Sequence, residues 1–163
     1  GGIAMLEEAF DLLYTKFKIQ FYRRILNRFE SREATLTTVE TFCVECILAL
    51  GEPTIAEFSN FIGISTPNAA YKVASLVRKG YVEKIQSETD RREYHLRPTK
   101  RAHSYYNISR EYRHSVMKRI RERFTPEECA EFSRMLDIIA RELMPELQLP
   151  AEKAAQKART AKQ

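Results

Sequence analysis

Apolar residues recur at three- and four-residue steps near both ends of this chain, which is the period of an amphipathic helix. In the first helix-like run they are Leu6, Phe10, Leu13, Phe17, Phe21, Ile25 and Phe29. Two further runs follow residue 99, with apolar positions at Tyr105, Ile108, Tyr112, Val116 and Ile120, and then at Phe132, Met135, Leu136, Ile139 and Leu143. The chain is therefore predicted to begin with one long helix and to end with two.

Glycines divide the middle of the chain into three shorter helix-like runs, which end at Gly51, Gly63 and Gly80. Glycine commonly follows a helix C-terminus because it adopts left-handed conformations without steric cost. The first two runs open with Thr-x-x-Glu capping boxes at Thr37 and Thr54. The third opens at Ser65, a good N-cap, with Pro67 in its first turn. Since only residues 63–65 join the last two runs, they are predicted to form a helix-turn-helix.

A β-hairpin, or wing, is predicted directly after this motif. Residues 81–85 and 93–97 are rich in β-branched and aromatic side chains, and the polar stretch 86–92 separates them. From Arg78 to Arg101 there are eight basic and four acidic residues, whereas the net charge of the whole chain is only +5. A basic hairpin beside a helix-turn-helix suits the phosphate backbone of DNA. The alternative is that these charges form an ordinary solvated surface.

Three segments of this unit resemble the MarR (multiple antibiotic resistance regulator) family. Gly80–Lys84 resembles its Gly-Leu-Val-x-Arg strand, and Asp90–Arg92 its Asp-x-Arg wing. Pro98–Ala102 resembles the Leu-Thr-x-x-Gly segment that starts the next helix, with Pro98 and Ala102 in place of the usual leucine and glycine. The resemblance implies a mainly α fold with a small β-wing, in which terminal helices form a homodimer around the winged helix-turn-helix.

The domain organisation follows from these patterns. The DNA-binding unit is predicted at residues 35–98, between dimerisation helices at 5–34 and 99–147. Residues 1–4 are interpreted as a remnant of cloning, and 148–163 as a basic tail that is either a frayed helix or disordered. The terminal helices carry more apolar surface than one winged helix covers, which favours pairing with a second copy. A monomeric helical bundle is the alternative.

The helix that begins after Ser65 is predicted to read DNA. On its inner face Ala69, Val73, Leu76 and Val77 should pack on the core. The opposite face should point outward, and it carries Thr66, Pro67, Asn68, Ala70, Tyr71 and Ser75. Asn68 can bond adenine, Thr66 a base or a phosphate, and Ala70 can contact a thymine methyl. Lys72 and Lys79 are either phosphate contacts or solvated lysines. The complete set of predicted DNA-binding residues is Ser65, Thr66, Pro67, Asn68, Ala70, Tyr71, Lys72, Ser75, Lys79, Asp90, Arg91 and Arg92.

At the wing tip, Asp90 can brace an arginine that reaches into a narrow minor groove. The family motif assigns that role to Arg92 and leaves Arg91 for phosphate or groove contacts. A purely structural ion pair between Asp90 and Arg92 is the competing interpretation.

A Cys-x-x-Cys at Cys43 and Cys46 falls in mid-helix, with Cys129 far away in the sequence. Val39, Cys43, Cys46, Ile47 and Leu50 form one predicted apolar stripe, so small buried residues are the first interpretation. A redox trigger or a metal site are the alternatives, although no second ligand pair is present in the sequence.

The sequence contains no catalytic motif, so we predict a regulator rather than an enzyme, without cofactor or metal. The expected partners are double-stranded DNA and a second copy of the chain. No apolar stretch is long enough to span a membrane, and three cysteines fit a cytoplasmic protein. A winged-helix module for protein interaction and a redox sensor acting through Cys43 and Cys46 remain alternative functions.

The resemblance also implies a pocket for a phenolic or lipophilic effector between the dimer helices and the winged unit. The aromatic residues that could line it are Tyr14, Phe17, Phe21, Tyr22 and Phe42. The same residues could equally be core residues at helical spacing.

Overall fold

The computed structural model describes residues 2–28 and 36–162. In chain order its elements are α1 (Gly2–Arg28), α2 (Thr38–Leu50), α3 (Ile55–Ile62), α4 (Thr66–Arg78), β1 (Val82–Gln86), β2 (Tyr94–Pro98), α5 (Lys100–Arg123), α6 (Pro126–Glu142) and α7 (Pro150–Ala161). The two strands form one antiparallel hairpin. The predicted fold class, mainly α with a small β-wing, is confirmed.

Side chains at the N-cap positions set the helix starts, as predicted for Thr37, Thr54 and Ser65. Thr37, Thr54 and Thr125 each close a capping box with a glutamate three residues later. Ser65 Oγ accepts a hydrogen bond from the backbone N–H of Asn68, which fixes the start of α4. These bonds satisfy amides that have no partner within the helix.

The end of α4 depends on Gly80, which has a φ of +82°. This conformation lets the Tyr81 N–H reach back to the Leu76 carbonyl at 2.9 Å while the Gly80 N–H bonds the Val77 carbonyl at 3.1 Å. The pattern is a Schellman motif, and it turns the chain sharply from α4 into the wing.

Several predicted boundaries differ from those of the structure. Helix α1 begins at Gly2, three residues before the predicted start at residue 5, and its described part ends at Arg28. The predicted helical positions 29–34 lie outside the described residues. Both strands begin one residue later than predicted. The basic tail contains helix α7, in agreement with the helical one of its two interpretations.

The core lies where α2, α3, α4 and α5 meet the wing. Its largest fully buried side chains include Ile47, Phe58, Leu76, Tyr81 and Leu96. Tyr105 of α5 donates a hydrogen bond from its hydroxyl to Thr41 Oγ1 of α2 at 3.1 Å, in the middle of this apolar region. The Thr41 hydroxyl in turn donates to the Thr37 carbonyl at 2.9 Å, so the polar groups in this region are hydrogen-bonded.

The predicted core faces are correct except at their edges. Ala69, Val73 and Leu76 of α4 are fully buried, but Val77 is 39% exposed. On α2, Val39 is 51% exposed and does not join the buried stripe. Both valines lie on the flank of their helix, where a neighbouring element decides whether a side chain is covered.

The wing is attached to the loop between α2 and α3. The Leu96 N–H donates to the Pro53 carbonyl at 2.7 Å, and His95 Nδ1 lies 2.8 Å from the Glu52 carbonyl. Arg97 Nε donates to the Glu52 carboxylate at 2.6 Å. Strand β2 is therefore held on both sides, by β1 and by this loop, which fixes the base of the wing relative to the helices.

Terminal helices leave a large apolar surface exposed. Helix α1 touches α5 through ring contacts, Phe17 with Tyr112 and Phe21 with Tyr105. Much of its remaining apolar surface faces solvent, as does that of α6 and the segment after it. The exposed apolar residues there include Met5, Leu6, Phe10, Leu12, Leu13, Ile19, Leu26, Phe132, Met135, Leu136, Ile139, Leu143 and Met144.

Candidate nucleic-acid interface

The first two turns of α4 present a polar outer surface. Ser65, Thr66, Pro67 and Asn68 are all exposed. Tyr71, one turn further along, has 74% of its surface exposed. The surface offers hydroxyl and amide groups suited to base edges and phosphates. Ala70 and Lys72 are half-buried at its margins.

The wing tip presents two arginines on a turn that is braced from within. Asp90 Oδ1 accepts a hydrogen bond from the Arg92 N–H at 3.0 Å and lies 3.7 Å from Arg92 Nε. Gln86 Nε2 donates to the Arg91 carbonyl at 2.8 Å. Nevertheless, the Arg92 side chain is 96% exposed. Its contact with Asp90 is long and exposed, so the guanidinium remains available for a ligand.

Ser75 and Lys79 are half-buried and bond to α2, whereas Ser75 was predicted to face outward and Lys79 to be a phosphate contact or a solvated lysine. Ser75 Oγ donates to Glu40 Oε2 at 2.8 Å, and Lys79 Nζ donates to Glu40 Oε1 at 2.7 Å. Glu40 belongs to α2 and is buried. Burial alone would raise its pKa, but the hydrogen bonds from Lys79, Thr37 and Ser75 lower the pKa of Glu40 to about 2. The carboxylate therefore stays ionised between α2 and α4.

The basic residues of the wing region fall into two groups. Arg97 is paired with Glu52, while Arg101 donates to the Lys79 carbonyl at 2.9 Å and stacks on the Tyr81 ring at 5.2 Å. These side chains support the fold. A second group is exposed around α4 and the wing and comprises Arg78, Lys84, Arg91, Arg92 and Lys100. The exposed group supplies the positive surface of the candidate interface.

Sequence reasoning missed the structural roles of Glu40, Glu52 and Arg101. The sequence pattern placed Glu40 only in the capping box of Thr37. In the structure Glu40 Oε2 also accepts a hydrogen bond from Ser75 of α4, more than thirty residues later in the chain. One available signal was that Glu40 is the acidic residue nearest the buried face of α2. The number of charged residues in the sequence does not show which cations Glu40 and Glu52 pair with.

Cys43 and Cys46 are buried, as the packing interpretation predicted. Burial raises the pKa of the Cys46 thiol to about 11, with further contributions from Cys43 and Glu45. Burial also raises the pKa of Cys43, against the opposing charge of Lys72. Both thiols are therefore poor nucleophiles, which disfavours the redox-sensor alternative. Within residues 2–28 and 36–162, no group of three or more His, Cys, Asp or Glu side chains could hold a metal.

An aromatic recess of about 220 Å³ lies between α1 and α5. Its walls are formed by Tyr14, Phe17, Lys18, Phe21, Ser109, Tyr112 and Arg113. Three of the five predicted pocket residues thus line it. Tyr22 stacks beside Phe21 at 5.4 Å without lining the recess, and Phe42 is a half-exposed residue of α2 outside it.

Comparisons with known proteins agree with this fold. The model of the MarR family matches residues 36–94. A comparison with curated proteins finds no match. Among solved structures, Streptococcus pneumoniae FabT in complex with DNA is 21% identical with a TM-score of 0.61, over 87% of this chain and 99% of that chain. RV1404 from Mycobacterium tuberculosis is 18% identical with a TM-score of 0.66, over 86% and 93%. A MarR family protein from Bacillus stearothermophilus is 21% identical with a TM-score of 0.63, over 87% and 95%.

The match confirms the resemblance seen in the sequence, and the structural likenesses extend the same fold to the terminal helices. Among the helices that the structure describes, none combines the length and the apolar character needed to cross a membrane.

Proposed function

We propose that this chain, whose winged helix-turn-helix is of the MarR family, is a transcriptional repressor that binds double-stranded DNA sequence-specifically as a homodimer. The observation that carries this proposal is the exposed polar surface of α4 beside a wing tip with two exposed arginines. The solved complex of FabT with DNA, which shares the fold, supports it. We assign DNA binding to residues 35–98 and dimerisation to α1, α5 and α6.

Helix α4 acts as the recognition helix and enters the major groove with its first two turns. Asn68 is exposed and bonds an adenine edge through its amide, and Thr66 bonds a base or a phosphate. The methyl group of Ala70 contacts thymine. The hydroxyl groups of Ser65 and Tyr71 donate hydrogen bonds to phosphates, and Lys72 at the edge of the surface adds a cation.

The wing contacts the neighbouring minor groove. Arg92 enters the groove from a turn that Asp90 holds in shape, and Arg91 beside it contacts groove or phosphate. These contacts are largely electrostatic, so they position the protein and make its affinity depend on salt.

The dimer forms through the exposed apolar surfaces of α1 and α6. Burying them against a second copy removes from water the side chains that one chain leaves exposed. A twofold dimer presents two recognition helices, so its site is a pseudo-palindrome with half-site centres about 10 bp apart.

An aromatic or lipophilic effector bound in the recess between α1 and α5 releases the repressor. The recess joins a dimerisation helix to the helix that follows the wing, so a ligand there can change the spacing of the two recognition helices. Its aromatic walls fit an apolar ring system. We place the protein in the cytoplasm, whose reducing conditions suit three free cysteines.

Selection of duplexes from a random pool, followed by light scattering of the protein, tests the proposal. The selected sequences should contain an imperfect inverted repeat, and a reporter promoter that overlaps such a site should be silenced by the protein. Recovery of no common sequence, or a monomer at micromolar concentration that still binds the selected duplex, would contradict it.

A further inference from the structure

One carboxylate of α2 fastens the C-terminal half of the recognition helix. Glu40 Oε2 accepts the hydrogen bond from Ser75, and Glu40 Oε1 accepts those from Lys79 and from the Thr37 backbone N–H, all between 2.7 and 2.9 Å. Glu40 is only 8% exposed, so these groups rather than water balance its charge. Glu40, which closes the capping box of α2, therefore also fastens α4.

The two attachments on α4 restrain its direction. Ser75 and Lys79 lie one helical turn apart, so bonds from both to a single carboxylate oppose tilting as well as rotation of the helix. Asn68 lies eleven residues before Lys79, which is about 16 Å along the axis at 1.5 Å per residue. A tilt of about 10° at the anchored end would move Asn68 by about 3 Å, the length of a hydrogen bond.

We propose that Glu40 is a positioning residue for DNA recognition: by holding Ser75 and Lys79 it sets the angle at which α4 enters the major groove. Lys79 then acts on Glu40 and not on a DNA phosphate. This inference rests on the proposed function, because it concerns how the recognition helix is presented to DNA.

A lysine at the end of a recognition helix would otherwise be assigned to the phosphate backbone. The two roles differ in a measurable way. A phosphate contact contributes about one unit to the slope of log affinity against log salt, and its loss weakens binding to all sequences equally. A positioning residue contributes nothing to that slope, and its loss weakens binding to the preferred sequence most.

Fluorescence anisotropy can separate these roles with two labelled duplexes, one selected by the protein from a random pool and one with the same bases scrambled. Titrations at four salt concentrations give the affinity and the salt slope for each duplex. The variants are Glu40→Gln, Glu40→Gln with Lys79→Met, and Lys79→Arg. The double variant matters because Lys79→Met alone would leave a buried carboxylate without its cation and could unfold the protein. Arg92→Ala is the control for a contact with DNA.

For the selected duplex, affinity should fall about tenfold in Glu40→Gln and by a similar factor in the double variant, because both remove the negative charge that holds Ser75 and Lys79. In both variants, affinity for the scrambled duplex should change less than about twofold. The salt slope on each duplex should match that of the wild type. Lys79→Arg keeps the cation on Glu40 and should retain most of the selected affinity. Arg92→Ala, in contrast, should lower the slope by about one unit.

The inference is overturned if the slope of the double variant lies about one unit below that of the wild type on both duplexes, or if Glu40→Gln binds the selected duplex as the wild type does. If the wild-type protein selects no duplex from the random pool, the proposed function is refuted instead. In that case amide hydrogen exchange tests whether Glu40 restrains α4. Exchange along α4 should be at least about tenfold faster in the double variant than in the wild type. Equal exchange rates would overturn it.

Discussion

Replacing Glu40 by glutamine should remove an acid-sensitive part of the folding free energy. In the folded protein the hydrogen bonds of Lys79, Thr37 and Ser75 outweigh burial and lower the pKa of Glu40 from 4.5 to about 2. Glutamine keeps the shape and one oxygen acceptor but carries no charge. The variant therefore isolates the charge from the packing.

The magnitude follows from the two pKa values. Their difference corresponds to roughly 3 kcal/mol of stability when the carboxylate is ionised, and at 8% exposure solvent screens little of it. Because the folded-state pKa lies below the unfolded one, this contribution is complete above about pH 5. It declines as the pH falls through 4.5 and is largely lost near pH 2.

Urea unfolding of the wild type and Glu40→Gln, at one protein concentration and at several values of pH, measures this contribution. The two free energies of unfolding should differ by roughly 3 kcal/mol at pH 7 and converge toward pH 2. Glu57→Gln is the matched control, because Glu57 closes the same kind of capping box on α3 but is exposed. A difference between wild type and Glu40→Gln that stays constant from pH 7 to pH 2.5 would refute the reasoning.

Three further predictions concern the wing, the dimer and the cysteines. Arg92→Ala should leave the melting temperature nearly unchanged, since its side chain is 96% exposed, yet lower the salt slope of DNA binding by about one unit in anisotropy titrations; an unchanged slope would exclude a DNA contact. Leu136→Glu on the exposed face of α6 should shift the protein toward monomer in light scattering, and a fully dimeric variant would place the interface elsewhere. The Cys43→Ala, Cys46→Ala double variant should lower stability by about 1–3 kcal/mol, and DNA binding by wild-type protein should resist mild peroxide; release of the wild type but not of the variant would establish redox sensing.

Helix boundaries could be predicted from the sequence because their signals are local. Thr37, Thr54 and Ser65 bond amides within the next three residues, and Gly80 acts through its own backbone conformation. The alternation of buried and exposed positions in the middle of α4 could be predicted for the same reason, because it follows from the helical spacing of nearby residues.

Contacts between distant segments could not be predicted in this way. Helical periodicity placed Ser75 on the outer surface of α4, but the position of Glu40, 35 residues earlier, turns it into an internal partner. The aromatic recess could not be predicted either, since Lys18 and Arg113 line one recess only because α1 packs beside α5. Phe42 was assigned to the recess by residue type alone, and the structure places it elsewhere.

If the exposed surface of α4 reads base sequence, Asn68→Ala should impair that reading. Asn68 is exposed at the start of α4, and its side chain can be removed without opening a cavity. Affinities of wild type and variant are compared on the selected and scrambled duplexes at one salt concentration. The account predicts a loss of about 1–3 kcal/mol on the selected duplex only, with relaxed choice at one base position. Equal losses on both duplexes, or none on either, would contradict it.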